Sequence, residues 1–185
     1  MDYTAYTALV LDELKEALGA VNKQSTEAFV AEIEGANQVF FVGVGRVLLS
    51  LKSVAKRLAH LGVKAHIVGE ITEPAITPDD VLVVGSGSGE SLFPVAIARK
   101  AKSLGARVVM IGSNTHSTLA GMADLVVRIP VQTKLGLPGE IPSRQPMTSL
   151  FEQALLLYGD VIAAMMIEKR GIDIKSLWRC HANLE

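Results

Sequence analysis

The chain has one cysteine, Cys180, which excludes an intramolecular disulfide and leaves no thiolate cluster for a metal. Aromatic residues are only 5% of its 185 residues, so the apolar content is mostly Ala, Val, Leu and Ile. That is the material of packed helices and buried parallel strands. Neither sign of charge is in excess: 18 basic residues stand against 19 acidic ones, spread along the chain, with a net charge of −1. No basic face is therefore available to nucleic acid or to an anionic membrane. The apolar stretches are broken well short of the roughly 18 residues that a spanning helix needs. Met1-Asp2-Tyr3 opens on polar residues, without the charged and apolar regions of a secretion signal. A cytoplasmic protein is expected. The length fits one domain with a single core. With 49% hydrophobic residues in so short a chain, some apolar surface is expected to be covered by other subunits.

Periodicity divides the chain into alternating elements. Residues 4–36 read as two helices separated near Val21-Asn22-Lys23-Gln24, with Leu9, Leu11, Leu14 and Leu18 at helical spacing and Ser25-Thr26-Glu27 as a helix start. Strand patterns follow at 38–42, 65–68, 81–84, 107–111 and 125–129. Helices are predicted at about 47–61, 91–104, 117–122 and 148–169, with Gly62, Gly105 and Gly171 placed as C-terminal stops. Five β-runs alternating with helices imply a parallel sheet covered on both faces through right-handed crossovers. Between Pro130 and Pro146 lie four prolines, two glycines and no periodicity. A loop of that length inside a compact domain is expected to act as a lid or binding element. Residues 1–36 read as a helical extension, 130–147 as the lid-like loop and 172–185 as a tail containing a short helix.

The aliphatic run Val81-Leu82-Val83-Val84 stops at Gly85-Ser86-Gly87-Ser88-Gly89-Glu90-Ser91. In an open parallel sheet, ligands bind at the carboxyl ends of strands, where loops lead into helix N-termini. Glycines let backbone N–H groups approach an anion, and the hydroxyls of Ser86, Ser88 and Ser91 add small donors beside Gly87. A phosphate site is therefore expected here; the alternative is a flexible turn that only joins strand to helix. Glu90 would oppose a bound dianion and is expected to bond backbone or an arginine instead. Gly43-Val44-Gly45 is not a dinucleotide fingerprint, because Leu48 occupies the place of the third glycine.

The sequence resembles the SIS (sugar isomerase) family, whose hallmark loop here reads SGSGES. Within that family it is most similar to the 6-phospho-3-hexuloisomerases. The likeness lies in GVGR at 43–46, KRLAHLG at 56–62 followed by VGE, AKSLGA at 101–106, QPMTSLFEQALLLYGD at 145–160 and HANLE at 181–185, in order and with matching spacing. The resemblance implies a three-layer αβα sandwich around a five-stranded parallel sheet of flavodoxin-like type, assembled as a homotetramer. It implies an isomerase that moves the carbonyl of a phosphorylated ketohexose from C3 to C2 through an enediol. Such a route needs acid, base and a grip on the phosphate, so neither metal nor organic cofactor is expected. Glu152 is implied as the base and His181, from the same or a neighbouring subunit, as a proton carrier between oxygens. Gly45 and Arg46 are implied in substrate binding, although Arg46 can instead pair with a nearby acid. His60 is a weaker candidate, with the alternative of an ordinary residue at a helix C-terminus. Val47 and Leu48 stand where these isomerases carry Ser-Gly, which removes a hydroxyl and narrows the backbone's approach. That departure keeps open a second reading, a non-catalytic module that senses a sugar phosphate.

Overall fold

The computed structural model describes residues 1–184; Glu185, the end of the tail, lies outside the described residues. Two helices lead the chain, α1 (Tyr3–Gly19) and α2 (Lys23–Gly35). The side chain of Asp2 accepts the Ala5 N–H to start α1, and that of Asn22 accepts the Ser25 N–H to start α2. The second helix thus begins ahead of the expected Ser25-Thr26-Glu27 start. A doubly wound segment follows: β1 (Val39–Val42), α3 (Gly45–His60), β2 (Ala65–Ile67), β3 (Val81–Gly85), α4 (Leu92–Ser103), β4 (Arg107–Gly112), α5 (Thr118–Met122) and β5 (Leu125–Arg128). The long helix α6 (Ser149–Arg170) and a 3-10 helix over Ile174–Cys180 complete the chain.

The five strands are all parallel and lie in the order β2-β1-β3-β4-β5. Strand order reverses between β1 and β3, and a crevice opens at their carboxyl ends. Side chains alternate between the two faces. Val39, Phe41, Val81, Val83, Val109 and Ile111 join one core cluster with α1, α2, α3 and α6; Phe40, Val42, Leu82, Val84, Val108 and Met110 join a second with α4 and α5. Both faces are apolar because both are covered, which is why these strands read as unbroken aliphatic runs.

By length and composition α6 is apolar enough to cross a membrane, contrary to the expectation of no such stretch. It is instead a core helix: Leu150, Phe151, Ala154, Leu155, Ile162, Ala163 and Met166 are all buried. It runs parallel to α3, and the two meet closely at Gly159, where an added Cβ would lie 2.2 Å from Val54 Cγ2. Ser50 Oγ donates to the Glu152 carbonyl at 2.8 Å across the same seam.

Gly159→Ala is expected to destabilise the fold by about 2 kcal/mol, an overpacking cost of ~3 less about 1 regained in helix propensity. Denaturant melts of Gly159→Ala, Val54→Ala and the double variant check this. The double variant should lose clearly less than the sum of the two single losses. A Gly159→Ala protein more stable than wild type would show that this close approach does not constrain the seam.

Candidate active site

A pocket of about 260 Å³ lies at the carboxyl ends of β1 and β3. Its walls come from Val44, Gly45, Arg46 and Val47 after β1, from Gly85, Ser86, Gly87, Ser88 and Ser91 after β3, from Thr133 and Lys134 of the loop after β5, and from Thr148, Phe151 and Glu152 at the start of α6. The SGSGES loop, Gly45, Arg46 and Glu152 are thus brought together although they lie on three distant segments.

Helix capping distinguishes this place from the rest of the molecule. Helices α1, α2, α5 and the 3-10 helix begin at Asp2, Asn22, Ser117 and Asp173, each of whose side chains accepts a backbone N–H. Helices α3, α4 and α6 begin at Val44, Ser91 and Thr148, and none of these makes a side-chain cap bond. All three of those residues line the pocket. The positive ends of three helices, with N–H groups left unpaired by caps, therefore face one small space.

Within the loop, Ser86 Oγ accepts the Gly89 N–H at 3.1 Å and lies 3.3 Å from Ser91 Oγ. Ser88 Oγ accepts the Glu90 N–H at 3.3 Å. Both Ser86 and Ser88 are buried. Gly89 has φ of +68°, and a Cβ there would lie 2.0 Å from Ser117 Oγ, so no other residue fits without rebuilding the turn. Glu90 does turn away, as expected: its carboxylate accepts the Thr118 N–H at 2.7 Å at the start of α5. The Thr118 backbone N–H, followed by its hydroxyl, holds the Glu90 carboxyl below its ordinary value.

Glu152 is 7% exposed, in the first turn of α6. One carboxylate oxygen accepts the Arg46 Nε–H, and the other accepts the Thr148 hydroxyl at 2.9 Å. Arg46 is half of an ion pair rather than a free anion ligand, while its side chain remains largely exposed at the pocket mouth. Immediately before α6, Met147 adopts φ of +57°, the one described non-glycine residue in that region. It is 92% exposed.

The loop from Pro130 to Met147 is ordered by two carboxylates that sequence reading had not singled out. Glu140 accepts four bonds: from Ser113 Oγ at 3.1 Å, the Thr133 N–H at 3.1 Å, Thr133 Oγ1 at 2.9 Å and the Leu137 N–H at 2.9 Å. Glu13 of α1 accepts Ser143 Oγ, the Arg144 N–H and the Gln145 amide. Burial acts to raise the Glu13 carboxyl, but the Arg144 N–H, the Ser143 hydroxyl and the Gln145 amide together hold it below its ordinary value.

Two expected site residues lie elsewhere in the chain. His60 ends α3, and at about 1.5 Å per residue that helix carries it about 21 Å from Arg46, away from the pocket. His181 of the same chain stacks on His60, with ring centroids 5.5 Å apart, and also meets Trp178. Within one protomer His181 and Glu152 are therefore not assembled, and His60 is a helix C-terminal residue. Of the two departures at 47–48, only Val47 faces the pocket, where it packs against Gly85. Leu48 does not line the pocket; like Val47 it is partly buried against the core. Thr133, Lys134, Thr148 and Phe151 were missed. Thr148 had a legible signal, four residues before Glu152 at helical spacing; the loop pair had none.

A doubly wound sheet with a Ser/Gly loop at its switch point defines a recurring class of α/β domain. The model of the SIS domain family matches residues 32–157, and the chain belongs to that family. It is 40% identical to 3-hexulose-6-phosphate isomerase of Bacillus subtilis, covering all of both chains. It is 38% identical to the protein of that name from Mycobacterium gastri, with all of this chain matching 92% of the relative. Among solved structures, a Methanococcus jannaschii protein with an inferred 3-hexulose-6-phosphate isomerase function superposes with a TM-score of 0.84 at 27% identity, over 98% of this chain and 99% of that one. An Escherichia coli CFT073 protein in complex with A5P superposes with a TM-score of 0.75 at 25% identity, over 98% of this chain and all of the other.

Glu140→Gln replaces a carboxylate that receives four bonds with an amide whose NH2 opposes the donors. Bonds to a charged acceptor contribute about 1.5–3 kcal/mol, so exchange of the Thr133 and Leu137 amides should accelerate about 10- to 100-fold. Hydrogen exchange followed by NMR reads this directly; unchanged protection would show that the loop is held by other contacts.

Proposed function

We propose that the chain is a 3-hexulose-6-phosphate isomerase. The observation that carries the proposal is the meeting of three uncapped helix N-termini and the Ser86–Ser91 loop with one buried carboxylate, Glu152. The first set suits a phosphate, and the carboxylate is placed for proton transfer on the sugar attached to it. The names of full-length relatives point to the same substrate.

In this reading Ser86, Ser88 and Ser91, with the backbone around Gly87 and the first turn of α4, hold the phosphate. Gly45 lets the chain after β1 approach the sugar. Glu152 takes the proton from C2 as the C3 carbonyl oxygen is protonated, which forms a 2,3-enediol. Return of a proton to C3 and loss of the proton on the C2 oxygen complete fructose 6-phosphate. Arg46 and Thr148 orient the carboxylate, one on each oxygen, and Arg46 also lies where it can steady negative charge on the enediol oxygens. The oxygens themselves exchange protons through His181 of a neighbouring copy, because the chain's own His181 lies at the far end of α3. A homotetramer supplies that copy. The exposed apolar side chains Leu49, Leu157 and Val161 on α3 and α6 support such an assembly. The enzyme acts in the cytoplasm and needs no cofactor.

Formation of fructose 6-phosphate from 3-hexulose 6-phosphate, followed by a coupled assay, tests the reading. Glu152→Gln should lower kcat by about 10²–10⁴, the ordinary contribution of a positioned base, with substrate still bound. Equal activity in both proteins would remove Glu152 from the mechanism. A wild type that binds sugar phosphate without turning it over would move the assignment to the non-catalytic module.

A further inference from the structure

We infer that Lys134 is the cation that recognises the substrate's phosphate, and that Glu140 holds the turn that presents it. This rests on the sugar-phosphate reading of the same pocket. The pocket is lined by three charged side chains, Arg46, Lys134 and Glu152. Arg46 and Glu152 neutralise one another. The other donors, hydroxyls and backbone N–H groups, carry no net charge, so a dianion seated on them alone would be under-compensated. Lys134 is what remains. Among the described residues it makes no ion pair and its ammonium no hydrogen bond.

The backbone beneath Lys134 is fixed while its side chain is left free. Thr133 accepts the Gly136 N–H at 3.2 Å, which closes a turn around residues 134 and 135, and Gly136 takes φ of +58° there. Glu140 bonds Thr133 on one side of the turn and Leu137 on the other. The main chain of Gln132 and Ile141 closes the base of the loop with a 2.8 Å bond. A long, unpaired cation is thus carried on a rigid turn at the edge of the phosphate loop. Lysine fits the task because its ammonium is a compact point charge on a flexible stem and can follow a phosphate that enters from solvent.

The test is calorimetric titration of inorganic phosphate and of fructose 6-phosphate into wild type, Lys134→Met and Lys134→Arg, with the isomerase assay run on the same three proteins. Lys134→Met should weaken both ligands about 10- to 100-fold, as expected for one lost charge-assisted bond, and raise KM with kcat changed by less than about two-fold. Lys134→Arg should restore most of the affinity, because the charge is kept. The side chain is exposed, so all three should melt alike. Lys134→Met binding both ligands as tightly as wild type would overturn the inference and leave the isomerase reading standing. Wild type that binds fructose 6-phosphate without isomerising it would overturn the isomerase reading, with Lys134 still judged by the titrations. Wild type that binds neither ligand would overturn both.

Discussion

Helices that follow the strands of a parallel sheet all start at the same edge, so their positive ends gather there whether or not the gathering is favourable. Three of them, α3, α4 and α6, start around one pocket with no side chain to cap them. Unpaired amide donors and like dipole ends side by side raise the energy of this region. Glu152, in the first turn of α6, is already paired with Arg46, so it is a bound anion that would oppose them. The close seam between α3 and α6 makes that pairing possible. Gly159 admits Val54, the two helices lie side by side, and Arg46 meets Glu152.

Carboxylates organise the surroundings as much as the centre. Glu90 accepts the Thr118 N–H at the start of α5 and does not line the pocket. Glu13 reaches from α1 to the segment that leads into α6. Glu140 joins the end of β4, through Ser113, to the turn that carries Lys134. Glu13 and Glu140 are each satisfied by several backbone and side-chain donors, the way an acid is retained at partly buried positions without a cation on every oxygen. The long loop after β5, which has no sheet or helix of its own, is ordered by two of them.

Val47, where the family resemblance implied a serine, lies at the pocket wall. It presents an apolar side chain there, packed on Gly85. The polar work of the pocket is carried instead by the loop after β3, the start of α6 and the edge of the loop after β5. The neighbouring Leu48 is partly buried and packs against the core.

Much of this was legible in the residue order, for physical reasons. Aliphatic runs such as Val81–Val84 announce strands buried on both faces, because only such strands need no polar side. Gly62, Gly105 and Gly171 announce helix ends, because each takes a positive φ. The Ser/Gly loop announces a wall of the pocket at the strand ends, because it follows a buried strand and opens a helix. What sequence could not decide was set by contacts between distant segments. Periodicity is blind to whether α6 is a membrane span or a core helix, since both are apolar, and only its packing against α3 settles it. The family resemblance implied Arg46 and Glu152 at a site without showing that each neutralises the other. Periodicity could not place His60 and His181 at the far end of α3, nor single out Glu140 or Lys134 in a loop with no repeat. Local pattern determined the elements and the Ser/Gly loop, because those depend on neighbours along the chain. The charge balance of the pocket depends on which side chains meet across it, and that was decided by the tertiary structure alone.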